Sequence, residues 1–160
     1  MPVPVQPERR FAEEMGILGE RLGMPPMVAR VLGWLLICDP PTQSLGELSA
    51  SLGVSRASIS IATRLLIGPG LIRRTAVPGA RGYYFEVEPG AFTRLSGRDQ
   101  FALLRGQLER GLASLPDPDG PRAARLREAR DFYAFVEREI PVLIDRFRVE
   151  RGEPRTEASA

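Results

Sequence analysis

The chain has 160 residues, of which 43% are hydrophobic and 26% charged, and its formal net charge is +2. This composition is ordinary for a globular protein, and no apolar run approaches the roughly 18 residues that a membrane span needs. Histidine is absent, which excludes a His-ligated zinc site, a Ser-His-Asp triad and a Cys-His pair. We therefore predict a non-enzymatic protein with no metal, no cofactor and no membrane partner.

The single cysteine and the composition of the N-terminal segment indicate the cellular compartment of the protein. The single cysteine, Cys38, cannot form a disulfide within the chain. The N-terminal segment MPVPVQPERR lacks the apolar core of a secretory signal. Both observations favour a cytoplasmic protein.

The positive charge is concentrated in one part of the chain. Residues 55–82 contain five arginines and no acid, whereas residues 1–54 and 83–160 each contain more acids than arginines. A local excess of this kind is what a polyanionic partner requires. The five residues are Arg56, Arg64, Arg73, Arg74 and Arg81.

Two helices are predicted in the first 40 residues. The first runs from Glu8 to Leu22 and ends at Gly23, and the second runs from Met27 to Cys38 and ends at Asp39-Pro40-Pro41. Helical spacing places Phe11, Met15, Leu18 and Leu22 on the buried stripe of the first helix. The predicted buried residues of the second are Val28, Val31, Leu32, Leu35 and Leu36.

A helix-turn-helix is predicted next. Ser44 and Glu47 fit a capping box that opens a short helix ending at Leu52. Its predicted inward residues are Leu45, Leu48 and Leu52. Gly53 supplies the turn, and Ser55 caps a second helix that continues to Leu66. Two helices joined by a short glycine-containing turn form this motif.

A β-hairpin follows the second helix of the motif. Residues 71–77 and 83–87 are predicted as strands, and residues 78–82 as the turn. Neighbouring strand residues point to opposite faces, so we expect one of Arg73 and Arg74 to pack along the domain or to bond an acid. A helix-turn-helix with such a hairpin is a winged helix.

Two more helices are predicted after the hairpin. The first spans residues 91–115 with a break near Ser96-Gly97, and the second runs from Pro121 to Arg151 with a kink at Pro141. The predicted fold is mainly α with a small β-hairpin: a winged helix-turn-helix with N- and C-terminal helices outside it. The predicted regions are an N-terminal helix (1–24), the winged helix-turn-helix (25–89), a C-terminal helical region (90–151) and a disordered tail (152–160).

The helix within SLGVSRASISIATRLL carries the functional prediction. Its predicted buried residues are Ile59, Ala62, Thr63 and Leu66. The opposite face then holds arginine, serine and small apolar side chains, the mixture that reads guanine edges, phosphates and thymine methyls in a major groove. The candidate DNA-binding residues are Gln43, Ser44, Ser55, Arg56, Ala57, Ser58, Ser60, Ile61, Arg64, Arg73, Arg74 and Arg81.

Two other interpretations are compatible with these residues. The serine-rich helix could be a solvated surface helix. The winged helix could also be a protein-interaction module that does not bind DNA, although such a module has no need of the acid-free segment. Salt-dependent binding to duplex DNA separates the second interpretation from a DNA-binding role.

Three segments also resemble a known family: LGWLLICDPP, LGVSRASISIATRLL and GLIRRTAVPGARGYYF. They are similar to the GbsR-like branch of the MarR-type transcriptional regulators. The resemblance implies a homodimer that binds double-stranded DNA, often as a repressor, with residues 55–66 as the recognition helix and 71–87 as the wing. It also implies that residues 25–89 form the DNA-binding domain, and that the N-terminal helix (1–24) and the C-terminal helical region (90–151) are the dimerisation helices. Many wings of this family carry an Asp-Arg pair near the tip, and here only Arg81 matches.

The resemblance also implies a small-molecule effector, bound between the dimer arms and the winged domain. The candidate pocket residues are Met15, Met24, Met27 and Trp34. Ordinary core packing is the alternative role for these four side chains.

Overall fold

The structure, a computed structural model, describes residues 6–94 and 98–153. The chain divides into two compact units, one ending at Phe92 and the other beginning at Thr93. The predicted break at Ser96-Gly97 and residues 154–160 of the predicted tail lie outside the described residues.

The first unit is a winged helix preceded by an N-terminal helix. Its elements are α1 (Gln6–Arg21), α2 (Pro26–Ile37), β1 (Gln43–Ser44), α3 (Leu45–Leu52), α4 (Arg56–Ile67), β2 (Ile72–Thr75) and β3 (Tyr84–Val87). The short helix α5 (Ala91–Arg94) follows the sheet. The three strands form an antiparallel sheet in the order β1-β3-β2.

Helices α1 and α2 pack through small residues, which corrects the predicted stripe. Leu18 and Leu22 are exposed, Leu22 to 75%, whereas Ala12, Gly16 and Gly19 are buried. A Cβ at Gly19 would overlap the Cβ of Ala29 on α2. This close approach of the two backbones turns Leu18 and Leu22 away from the contact. On α2, Leu36 was likewise predicted to be buried and is exposed.

Local capping fixes the ends of α3 and α4 as the sequence predicts. Ser44 Oγ accepts a hydrogen bond from the Glu47 amide (3.2 Å), and Glu47 Oε2 accepts one from the Ser44 amide (2.6 Å). Gly53 has φ +66° at the end of α3, a conformation that favours glycine. Ser55 Oγ accepts from the Ser58 amide (3.1 Å) at the start of α4. The turn between the helices is therefore held by its own side chains.

The core of the motif agrees with the helical pattern. The buried residues of α4 are Ile59, Ala62, Thr63 and Leu66, as predicted. Leu48 and Leu52 of α3 are also buried, whereas Leu45 is partly exposed.

Strand β1 was not predicted, because a two-residue strand has no alternation to detect. Gln43 pairs with Phe85 and Ser44 with Tyr84. On the other side of β3, Arg73 pairs with Glu86 and Arg74 with Phe85. This register decides which acid or aromatic residue each wing arginine meets.

The second unit consists of α6 (Arg98–Ala113) and α7 (Pro121–Glu150). Helix α7 continues through Pro141, although proline cannot donate a helical hydrogen bond at that position. Aromatic contacts join the two helices, with the rings of Phe101 and Tyr133 stacked at 5.9 Å. Among the helices in the described ranges, none is long and apolar enough to cross a membrane.

Candidate nucleic-acid interface

The outward face of α4 presents the side chains predicted for it. Arg56, Ala57, Ile61 and Arg64 are exposed, Ile61 to 54%. Ser58 and Ser60 lie at intermediate depth beside them. The face therefore combines two guanidinium groups with short polar and small apolar groups.

No acid among the described residues neutralises either arginine of α4. Within residues 6–94 and 98–153, Arg56 and Arg64 have no carboxylate at ion-pair distance. Arg64 Nε donates to the carbonyl of Ser60 one turn earlier (3.3 Å), which leaves its other donors available. The Arg56 guanidinium lies beside α3, where Gly46 leaves room for it: a Cβ at Gly46 would stand 3.0 Å from Arg56 Nη2.

The serines at the helix starts are engaged in capping. Ser44 and Glu47 satisfy each other's amides. The Oγ of Ser55 accepts from the Ser58 amide and lies 2.9 Å from the Ser58 Oγ. These serines lie beside the exposed face of α4, with their hydrogen bonds made within the chain.

Gln43 is placed differently from the other candidates. Its side chain is only 5% exposed, and its Nε2 donates to the carbonyl of Pro40 (2.9 Å). The amide therefore closes the loop before β1, and the structure does not bring it to the exposed face of α4.

The two wing arginines have different surroundings. Arg73 forms an ion pair with Glu86 across the strands (2.7 Å), with Glu88 at 3.8 Å. Arg74 instead lies over the ring of Tyr83, 5.3 Å from its centroid, which is a cation–π contact. One arginine is thus bonded to an acid, as strand alternation predicts, and the other is held by an aromatic ring that the sequence analysis did not single out.

Arg81 lies in the loop at the tip of the hairpin and is exposed. The glycines on both sides, Gly79 and Gly82, have φ of +78° and +96°. In the described part of the chain, no acid lies at ion-pair distance from Arg81. Its guanidinium is available to a partner at the end of the wing.

A cavity of about 300 Å³ lies between α4 and the sheet. It is lined by Leu45, Ser60, Thr63, Arg74, Tyr83 and Phe85. Thr63 Oγ1 donates to the Ser60 carbonyl (3.1 Å), so this hydroxyl is satisfied within α4. Arg74 and Tyr83 of the wing and Ser60 of α4 therefore line the same cavity.

The four candidate effector residues lie in the first unit. Trp34 is buried, and Met15, Met24 and Met27 are partly exposed. Met15 packs against α2, since a Cβ at Gly33 would stand 2.8 Å from the Met15 Cβ. This contact is core packing, and the effector pocket stays a prediction.

The thiol of Cys38 is a weaker acid than an exposed cysteine thiol. Burial is the main cause that raises the pKa of its thiol to about 11, and Asp39 and Glu47 add to the effect. The thiol is therefore protonated at neutral pH. Within the described residues, no three potential metal-ligating side chains come together.

Comparisons with known proteins agree with this architecture. The sequence matches a model of the MarR family over residues 22–81 and a model described as "MmpR5-like MarR family transcriptional regulator" over residues 90–150. A relative, the HTH-type transcriptional regulator MmpR5 of Mycobacterium tuberculosis, is 38% identical over 146 residues, covering 89% of this chain and 88% of that protein.

A solved structure is also similar. The crystal structure of a transcriptional regulator superposes with a TM-score of 0.80 at 37% identity, covering 88% of this chain and 97% of that one. These matches support the MmpR5-like description and do not confirm the GbsR-like branch. Transcriptional regulators of this kind are not enzymes. The chain belongs to the MarR family of transcriptional regulators.

Proposed function

We propose that this regulator is a homodimer that binds double-stranded DNA sequence-specifically, with α4 in the major groove and the β2–β3 hairpin as a wing. The observation that carries the proposal is that Arg56 and Arg64 are exposed and that no carboxylate of the described chain lies at ion-pair distance from either. An exposed guanidinium that is not already bonded to a carboxylate keeps its donors for a phosphate or a base edge.

The remaining side chains of α4 suit a groove. Arginine bonds guanine O6 and N7, serine bonds bases or phosphates, and small apolar groups contact the thymine methyl. In this proposal Arg56, Ser58, Ser60, Ile61 and Arg64 supply most of the sequence preference. Ala57 has a small side chain, which allows α4 to approach the bases closely. Ser44 and Ser55 cap the starts of α3 and α4 and lie beside the DNA sugar-phosphate backbone.

The wing arginines contribute unequally. Arg81 contacts a phosphate or the minor groove, because its guanidinium is exposed at the tip. Arg74 is the second contact, held in place by Tyr83. Arg73 contributes least, because Glu86 already neutralises it. Gln43 is left out of the contact set, because its side chain is buried.

Dimerisation is proposed from exposed apolar side chains. Leu103, Phe132, Phe135 and Val142 of the second unit are exposed, as are Ile17 and Leu22 of α1. A second copy of the chain would remove such side chains from water. The regions at 1–24 and 90–151 are accordingly assigned to dimerisation. Two recognition helices then read half-sites about 34–36 Å apart on a pseudo-palindrome.

Repression is the proposed consequence of DNA occupancy, since a bound dimer blocks access to a promoter. A response to a small-molecule ligand stays a prediction. Membership of the GbsR-like branch also stays a prediction.

Selection of bound duplexes from a random pool tests the proposal most directly. The expected result is an enriched, two-fold symmetric sequence whose half-sites are about one helical turn apart. Binding to random duplex should weaken steeply as salt rises, because several phosphate contacts release counterions. A chain that binds no duplex at low salt would contradict the proposal and favour a protein-interaction module.

A further inference from the structure

Helix α1 belongs to the same compact unit as the winged helix. It packs closely against α2, where Gly16 faces the side chain of Arg30 and Gly19 faces Ala29. Because the two helices pack closely at these glycines, the side chains at the N-terminal end of α1 have a defined position relative to the helix-turn-helix.

That position brings Arg9 to the turn between α3 and α4. A Cβ at Gly53 would stand 2.6 Å from Arg9 Nη2, so the Arg9 guanidinium lies directly against this turn. Gly53 lies two residues before Ser55, the N-cap of α4. Arg9 therefore lies next to the end of the recognition helix at which the chain enters α4.

Arg9 keeps its charge unpaired among the residues that the structure describes. Glu13, one helical turn away, is bonded to Arg30, and Arg30 also donates to the carbonyl of Leu52 (3.2 Å). Among the described residues, no carboxylate lies at ion-pair distance from Arg9, and its side chain is exposed. The adjacent Arg10, by contrast, is paired with Glu14 (2.9 Å).

We propose that Arg9 is a DNA phosphate contact, so that the N-terminal helix takes part in DNA binding as well as in dimerisation. This rests on the proposed function, because it requires α4 to lie in a major groove. Phosphates border that groove. In a helix-turn-helix the first helix crosses the sugar-phosphate backbone and the N-terminal residues of the second contact base edges, so the turn that joins them lies between the two. A guanidinium beside this turn provides a charged, sequence-independent contact.

The test compares Arg9→Gln with Arg10→Gln in the full-length chain, with Arg9→Lys as a charge-retaining variant. Binding to a random-sequence duplex and to a selected operator is followed between about 50 and 200 mM salt. The expected result for R9Q is a slope of log K against log salt that is smaller by about 0.9 per protomer, with equal weakening on both duplexes. R10Q should keep the wild-type slope, and R9K should restore most of it.

Several results would overturn this inference. A wild-type slope in R9Q would do so, as would a slope that falls equally in R10Q. A lower melting temperature of R9Q with an unchanged slope would assign Arg9 to packing against Gly53 alone. If the wild-type chain binds no duplex, the proposed function itself fails, whereas wild-type binding with an unaffected R9Q variant removes only the contribution of Arg9.

Discussion

Helices α4 and α7 both carry exposed arginines, but they differ in how many of these arginines form an ion pair with an acid. On α7, Arg130 pairs with Asp131, Arg138 with Glu139 and Arg146 with Glu150. On α4, Arg56 and Arg64 have no carboxylate at ion-pair distance among the described residues. Exposed pairs such as those of α7 add little stability. On the proposal that α4 binds DNA, the neighbours of an arginine, and not the arginine itself, decide whether its charge is available to a polyanion.

The largest effect is expected from placing an acid on α4. Ser60→Glu should weaken operator binding by about 100-fold or more, because a carboxylate facing phosphates costs several kcal/mol. Dimer mass, measured by light scattering, should not change. Ser114→Glu, in an exposed position just after α6, is the matched control and should bind normally. Wild-type operator affinity in S60E would remove α4 from the groove.

Removing one unpaired arginine should have the next largest effect. Arg64→Ala should weaken operator binding by about 5- to 150-fold, since a base-reading arginine is worth roughly 1–3 kcal/mol. Arg138→Ala removes an arginine of α7 that is paired with Glu139 and lies outside the winged helix. Provided that light scattering shows the same dimer mass as in the wild type, it should leave operator binding unchanged. Fluorescence anisotropy with labelled operator measures both variants. If both variants lost the same operator affinity, the net charge of the protein would decide binding, and not whether the arginine is paired with an acid.

A smaller effect is expected at the wing. Arg81→Ala should weaken binding to operator and to random duplex alike and lower the salt slope by about 0.9 per protomer. Arg73→Ala should have less effect on the slope, because Glu86 holds that guanidinium at 2.7 Å. The two titrations are done side by side. An R81A defect confined to the operator would count against the assignment of a backbone contact.

The smallest effect is on stability. Ser55→Ala removes the cap of α4 and should lower the free energy of unfolding by about 0.5–2 kcal/mol. Ser114 Oγ donates to the Gly111 carbonyl (2.7 Å) and caps no helix start. Ser114→Ala should therefore stay within about 0.5 kcal/mol of wild type. Urea denaturation measures both variants, and equal losses would contradict the capping role of Ser55.

Features set by near neighbours in the chain were predictable. The capping box of Ser44 and Glu47, the left-handed Gly53 and the buried side of α4 all depend on residues within about one helical turn. The exposed, acid-free face of α4 followed from the same periodicity. These are the features on which the candidate DNA-binding site depends.

Features that need a distant partner were not predictable. The buried side of α1 is decided by the close approach of Gly19 to Ala29, which periodicity of large apolar residues does not detect. Strand β1 exists only because β3 pairs with it. The contact between Arg9 and Gly53 joins residues that lie far apart in the sequence.

The sequence by itself determined the helix-turn-helix, its caps and the concentration of arginine in residues 55–82, because each depends on local spacing and composition. Only the tertiary structure decided which arginines are neutralised. The pairing register of β2 and β3 sets Arg73 opposite Glu86 and Arg74 opposite Phe85. Cross-strand distances and helix packing bring together groups that are remote in the chain, so the charge available to a partner is a property of the folded molecule.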